Sequence, residues 1–212
     1  MTVMPATVFV VDDDPGVLRA LTRLLRADGL EALSFASPKA FLEQHDATTP
    51  GCVVLDIAMP GLNGLELQQA LMKLGAPRPI VFLSGRGDIP TSVQAMKAGA
   101  VDFLTKPVNG KTLLAAVRKA NDLDSRARQA QSEQRAVARR LATLTPREHE
   151  VLQHVIAGQL NKQIAADLGT VEKTIKVHRA RVMEKMGIRS VAELVRMADQ
   201  AGIPFSKSPS TG

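Results

Sequence analysis

Residues 7–14 read TVFVVDDD, an apolar run that stops on three aspartates. Four similar runs follow: EALSF (31–35), CVVLDI (52–57), PIVFLS (79–84) and VDFLT (101–105). The segments between them, PGVLRALTRLLRAD (15–28), SPKAFLEQH (37–45), GLELQQALMKL (64–74), IPTSVQAMKAG (89–99) and GKTLLAAVRKA (110–120), carry helical spacing. Parallel strands need long crossovers, and helices supply them, so this alternation predicts a doubly wound five-stranded parallel sheet. The first, third and fourth runs are almost unbroken in Val, Ile, Leu and Phe, as strands buried on both faces are. EALSF is mixed, which suits a sheet edge.

Ligands of an open parallel sheet bind beyond the carboxyl ends of its strands. There the chain sets Asp12-Asp13-Asp14, Asp56, Ser84 and Lys106. Carboxylates that converge cannot all stay ionised without a cation, and a hard ion such as Mg²⁺ suits oxygen donors. Such a crevice favours phosphoryl transfer to a carboxylate. The metal and Lys106 would neutralise the equatorial oxygens, Ser84 would donate a hydrogen bond, and one Asp would attack in line. Helix capping accounts for Asp14 before Pro15, but not for Asp56 and Lys106 together.

Composition narrows the field. Hydrophobic residues make up 45 % and charged residues 23 % of the 212, a globular balance with room for two domains. No run is long and apolar enough for a transmembrane helix, and the acidic start is no signal peptide. Cys52 is the sole cysteine and sits inside an apolar strand, which reads as core. A disulfide framework and a multi-cysteine zinc site are thereby excluded, and a reducing cytoplasm is expected. Trp and Tyr are absent, so aromatic stacking on single strands has little to rest on.

Charge is uneven. Residues 1–120 hold 12 basic and 11 acidic side chains, whereas 121–212 hold 15 and 10. Within KTIKVHRARVMEKMGIR (173–189) six are basic and one acidic. That is the footprint of a polyphosphate partner, although a solvated helix face carries the same pattern.

Residues 121–144 are helix-favouring and polar nearly all round, a linker helix continuous with the one before it. Val137, Leu141 and Leu144 could form a short self-associating seam. From 145 to 203 the texture is all-α. Thr145-Pro146-Arg147-Glu148 is a capping box, Asn161 and Thr170 are expected to cap the next two helices, and Ser190-Val191-Ala192-Glu193 opens a last helix reaching Gly202. Four short helices with tight turns suit a helix-turn-helix domain. The tail, 204–212, reads as disordered, and the Arg86-Gly87-Asp88 triplet as a loop coincidence.

VVDDDP (10–15), VLDIAMPGLNGLEL (54–67), IVFLSGRGD (80–88) and DFLTKP (102–107) resemble the flavodoxin-like receiver domain of two-component response regulators. Residues 144–186, LTPREHEVLQHVIAGQLNKQIAADLGTVEKTIKVHRARVMEKM, resemble the LuxR-type helix-turn-helix of the FixJ/NarL group. The resemblance implies that Asp56 accepts a phosphoryl group from a histidine kinase. Asp12, Asp13, Asp56 and the carbonyl of Ala58 would hold Mg²⁺, Ser84 and Lys106 would read the phosphoryl group, and Phe103 would be the switch residue. It also implies a cis bond before Pro107, a homodimer on phosphorylation, and a cytoplasmic regulator, mostly an activator, that can engage RNA polymerase. It implies no enzyme turnover beyond gain and loss of its own phosphoryl group. Phe103 lacks a phenolic OH, and Ala58 lacks a polar group to position water.

On helical spacing, Val171, Ile175, Val182 and Met186 should pack inward. Lys173, Lys176, Val177, Ala180 and Glu184 lie opposite, with Thr174 and Arg181 on the flanks, as on a helix that enters the major groove. The resemblance points to Lys176, Val177 and Ala180 as base-facing. Arg179, Arg181, Lys173, Asn161 and Lys162 suit phosphates. For His178, packing and phosphate contact both stand. Two other readings compete. A haloacid-dehalogenase-like phosphohydrolase would use Asp12-Asp13-Asp14, but Gly16 stands where it wants Thr or Val. A protein-binding adaptor would show no salt-dependent duplex binding.

Overall fold

The structure is a computed structural model and describes residues 5–85 and 89–200. The Arg86-Gly87-Asp88 triplet, the tail and the expected helix end at Gly202 lie outside the described residues. The chain divides into two compact units, residues 1–128 and 129–212.

In the first unit, β1 (Thr7–Val11), α1 (Pro15–Ala27), β2 (Glu31–Phe35), α2 (Pro38–Gln44), β3 (Gly51–Asp56), α3 (Gly64–Lys73), β4 (Ile80–Ser84), α4 (Ile89–Lys97) and β5 (Asp102–Thr105) alternate as the pattern requires. The sheet is wholly parallel in the order β2-β1-β3-β4-β5, so the mixed run EALSF does lie at an edge. Side chains alternate between two cores. Val8, Val10, Cys52, Val54, Val81 and Leu83 meet α1 and α5 (Gly110–Leu141) through Leu21, Leu25, Leu113 and Val117. Phe9, Val11, Val53, Leu55 and Phe82 meet α2, α3 and α4 through Phe41, Leu67, Leu71 and Ala95. Cys52 is fully buried, and burial pushes its thiol up to about 12.

Helix α5 is continuous from Gly110 to Leu141, through most of the segment read as a linker. That segment is not uniformly solvated. Asp124 is buried in the first unit, while Val137, Leu141 and Leu144 pack on the core of the second. Their apolar surface is covered there by residues of α6 (Pro146–Ile156), α7 (Asn161–Asp167), α8 (Glu172–Met186) and α9 (Val191–Gln200), not by the self-associating seam considered from sequence.

Caps set where these helices begin. The Asp14 carboxylate accepts from Gly16 N and Val17 N at the start of α1, and Thr145 with Glu148 forms the expected box on α6. Ser190 Oγ accepts from Glu193 N. Two expected caps differ. The α7 cap is Leu160, whose N–H donates to Gln163 Oε1 at 2.8 Å, so Asn161 is already inside the helix. The α8 cap is Val171, which makes no side-chain cap bond and is 65 % exposed, although the spacing assigned it to the buried stripe. The turn moves the start: Thr170 N donates to Ala165 O, and α8 buries Ile175, Val182 and Met186 without needing Val171.

Candidate phosphoryl-transfer site and nucleic-acid interface

The chain turns from β1 to opposite sides of it for β2 and β3, and a crevice opens where strand order reverses. Asp12 follows β1 and Asp56 ends β3; they are 1 % and 4 % exposed. Lys106, following β5, bridges them: its Nζ stands 2.6 Å from Asp12 Oδ2 and 2.6 Å from Asp56 Oδ1. Burial opposes the Lys106 charge, but bonds to Asp12 and Asp56 outweigh it and raise its pKa. Two buried carboxylates then share one ammonium, which leaves a net negative charge at the bottom of the crevice. Asp12 Oδ1 also accepts from Asp14 N at 2.9 Å, which ties the aspartate run to the start of α1.

Ser84 ends β4 and is 6 % exposed; its carbonyl accepts the N–H of Lys106 at 2.7 Å. The Lys106–Pro107 bond is cis. Phe103, half-buried on β5, pairs with Phe82 in the sheet. Asp13 and Ala58 are exposed. Among the described residues no three acidic, His or Cys side chains are grouped closely enough to hold a metal. Asp12 and Asp56 therefore meet through Lys106, and Asp13 is not drawn in with them.

Gly64 was not singled out from the sequence. A Cβ there would stand 2.5 Å from the Asp56 carbonyl oxygen and 3.1 Å from Ile57 Cα. Glycine lets α3 press against the strand end that carries Asp56. Its signal is the glycine directly after Asn63, the residue that caps α3 through a capping box.

In the second unit, α8 buries Ile175, Val182 and Met186 and leaves Lys173, Lys176, Val177, Ala180 and Arg181 exposed, with Thr174 half-buried. Lys176 pairs with Glu172 at 3.1 Å, and Lys162 on α7 is exposed. Arg179 is half-buried and donates from Nη1 to Asn161 Oδ1 at 2.9 Å. His178 is half-buried, and its Nδ1 is buried with no hydrogen-bond partner among the described residues, which favours packing.

Comparison with known proteins agrees with both halves. Residues 8–118 match the response regulator receiver domain, and residues 142–198 match the bacterial regulatory proteins of the luxR family. Nodulation protein W of Bradyrhizobium diazoefficiens is 44 % identical over 206 residues, covering 97 % of this chain and 91 % of that protein. Transcriptional regulatory protein FixJ of Azorhizobium caulinodans is 41 % identical, covering 92 % and 93 %. The solved structure of response regulator StyR is 45 % identical, with a TM-score of 0.86 over 92 % of this chain and 99 % of that one. The chain thus belongs to the two-component response regulators that join a receiver domain to a LuxR-type helix-turn-helix DNA-binding domain.

Proposed function

We propose that Asp56 is the phosphoryl acceptor and that its modification governs DNA binding by α8. The reading is carried by one observation: Asp56 ends β3, buried, with the Lys106 ammonium at 2.6 Å. A carboxylate oxygen of Asp56 attacks phosphorus in line, a P–O bond forms, and the P–N bond of a kinase phosphohistidine breaks to leave imidazole. Lys106 pairs with the charge that arrives, and the Ser84 hydroxyl donates to a phosphoryl oxygen. Phe103 then repacks with Ser84. The family is one of regulators and not of classic enzymes, so gain and loss of this group is the extent of the chemistry.

Receiver domains generally bind Mg²⁺ at the acidic phosphorylation site. The residues present suit it, because two buried carboxylates against one ammonium leave uncompensated negative charge among oxygen donors. Asp12, Asp56 and the Ala58 carbonyl would hold the ion, and the exposed Asp13 would turn in to join them. When bound, it would neutralise charge on the phosphoryl oxygens.

The phosphorylated protein forms a homodimer through the face built from α4, β5 and α5. Support comes from Ile89, Val93 and Met96, which are 75 %, 45 % and 46 % exposed and recur at helical spacing. Lys176, Val177 and Ala180 face bases; Lys173, Arg179, Arg181 and Lys162 line the phosphates, with Thr174 and Asn161 beside them. A sensor histidine kinase, promoter DNA and RNA polymerase are the partners, in the cytoplasm, with activation as the outcome. No described helix is long and apolar enough to cross a membrane.

Intact mass with Mg²⁺ and acetyl phosphate tests the acceptor. Wild type should gain one phosphoryl group, about 80 Da, and Asp56→Asn none; equal gain in both would overturn it. Wild-type duplex binding should weaken with salt at a log–log slope of roughly −5.

A further inference from the structure

Three cations of α8 are held in different ways. Lys185 is bonded to the buried carboxylate of Glu148 at 2.6 Å, and Lys176 is paired with Glu172 at 3.1 Å. Arg179 meets the neutral side chain of Asn161, across the turn on α7, at 2.9 Å. No carboxylate pairs with Arg179 among the described residues. A carboxylate would cancel charge as it orders the side chain. An amide orders it and leaves the charge intact.

The bond also fixes Asn161. A guanidinium has only donors, so the amide must turn its oxygen to Arg179. Both residues are half-buried, and α7 and α8 pack together through Ile164 and Ile175. An arginine ordered before binding loses less side-chain freedom when a phosphate arrives. Arg179 neighbours Ala180 and lies one turn from Lys176, so a phosphate held by it sets how far the base-facing residues enter the groove.

We propose that Asn161 is a positioning residue for Arg179, and that its part in DNA affinity runs through that guanidinium. This rests on α8 being the DNA-binding helix, and it replaces the expectation of two separate phosphate contacts.

The test uses the full chain with Mg²⁺ and acetyl phosphate. Binding to a mixed-sequence duplex of about 30 base pairs is followed by fluorescence anisotropy across a salt series. Asn161→Ala and Arg179→Ala should each weaken binding about tenfold, and the double variant should match Arg179→Ala within about twofold. Asn161→Asp keeps the acceptor but cancels the charge, so it should flatten the log–log salt slope by about one, as Arg179→Ala does. Added to Arg179→Ala, it should flatten it no further. Single effects that multiply in the double variant, to about a hundredfold, would overturn the proposal and give Asn161 its own contact. Further flattening by Asn161→Asp in the Arg179→Ala background would do the same, and this arm stands if Asn161→Ala does not fold. A wild type with no salt-dependent duplex binding would overturn the DNA-binding reading, and this proposal with it.

Discussion

The carboxylate of Asp124 on α5 accepts the backbone N–H of Gly51, the first residue of β3, at 2.8 Å. Asp124 is 5 % exposed and also binds Arg128 Nε at 2.7 Å. Arg128 in turn donates to the carbonyls of Ala47, Thr48 and Thr49. The first unit therefore holds α5 past residue 120, into the segment that the sequence reads as a solvated linker. Gly51 has φ +137°, and a Cβ there would fall 1.8 Å from Thr7 O. No side chain fits where β3 begins.

Replacing Asp124 by Ala leaves the buried Gly51 N–H without an acceptor and frees Arg128. The expected loss is about 2–3 kcal/mol, read as a lower urea midpoint for the first unit. Arg128→Ala should cost less, because its carbonyl partners Ala47 and Thr48 are exposed to water. Equal, negligible losses in both variants would show that the contact does not stabilise the fold.

Glu148 predicts an acid limb for the second unit. Its bond to Lys185, and then the N–H of Thr145, hold its carboxyl at about 2, against an ordinary 4.5. A depressed carboxyl stabilises the fold fully above its ordinary value, and that contribution is lost as pH falls through the folded one. Urea titrations of Glu148→Gln should therefore show lower stability at neutral pH and a smaller loss between 4.5 and about 2. An unchanged acid limb would mean that other carboxylates set it.

His45 titrates in the first unit with the same sign. Burial lowers its pKa below 6.5, and Arg78 beside it adds to this, while Asp46 opposes. His45 Nε2 accepts from Arg78 Nε at 2.5 Å, and the guanidinium lies 4.6 Å from the centre of the Phe9 ring. Protonation would set a second cation against Arg78. Stability should fall as pH drops below 6.5 toward the folded pKa. In His45→Gln, which keeps a neutral acceptor, denaturant midpoints should vary less over that range.

Val171 stands where a helix start would gain from a hydroxyl. Val171→Ser should stabilise the second unit by about 1 kcal/mol, measured by urea unfolding in far-UV circular dichroism. Loss of stability would mean that the exposed isopropyl group is worth more than the cap.

Dimerisation through the face of α4, β5 and α5 predicts that Val93→Glu keeps phosphorylated protein monomeric in analytical ultracentrifugation while Asp56 still gains its phosphoryl group. A dimer that persists would move the interface elsewhere.

Features written in neighbouring residues were legible from the chain alone. The apolar runs of β1, β3 and β4, the Asp14 and Thr145 caps and the buried face of α8 from Ile175 onward depend on residues a few positions apart. Their physics is periodicity and local hydrogen bonding, which sequence displays directly. The edge position of β2 also followed, because a strand open to solvent on one side carries a mixed composition. Tertiary structure decided what long-range packing controls. Lys106 reaches Asp12 from 94 residues away, and spacing does not say that it bridges two carboxylates while Asp13 stays exposed. Asp124 meets Gly51 across 73 residues, and Asn161 gives up the capping role it suits locally to face Arg179. Each of these side chains had a sound local partner or a place in solvent. Burial of the surrounding apolar surface set the elements side by side, and polar groups then took the partners that this placement left within reach.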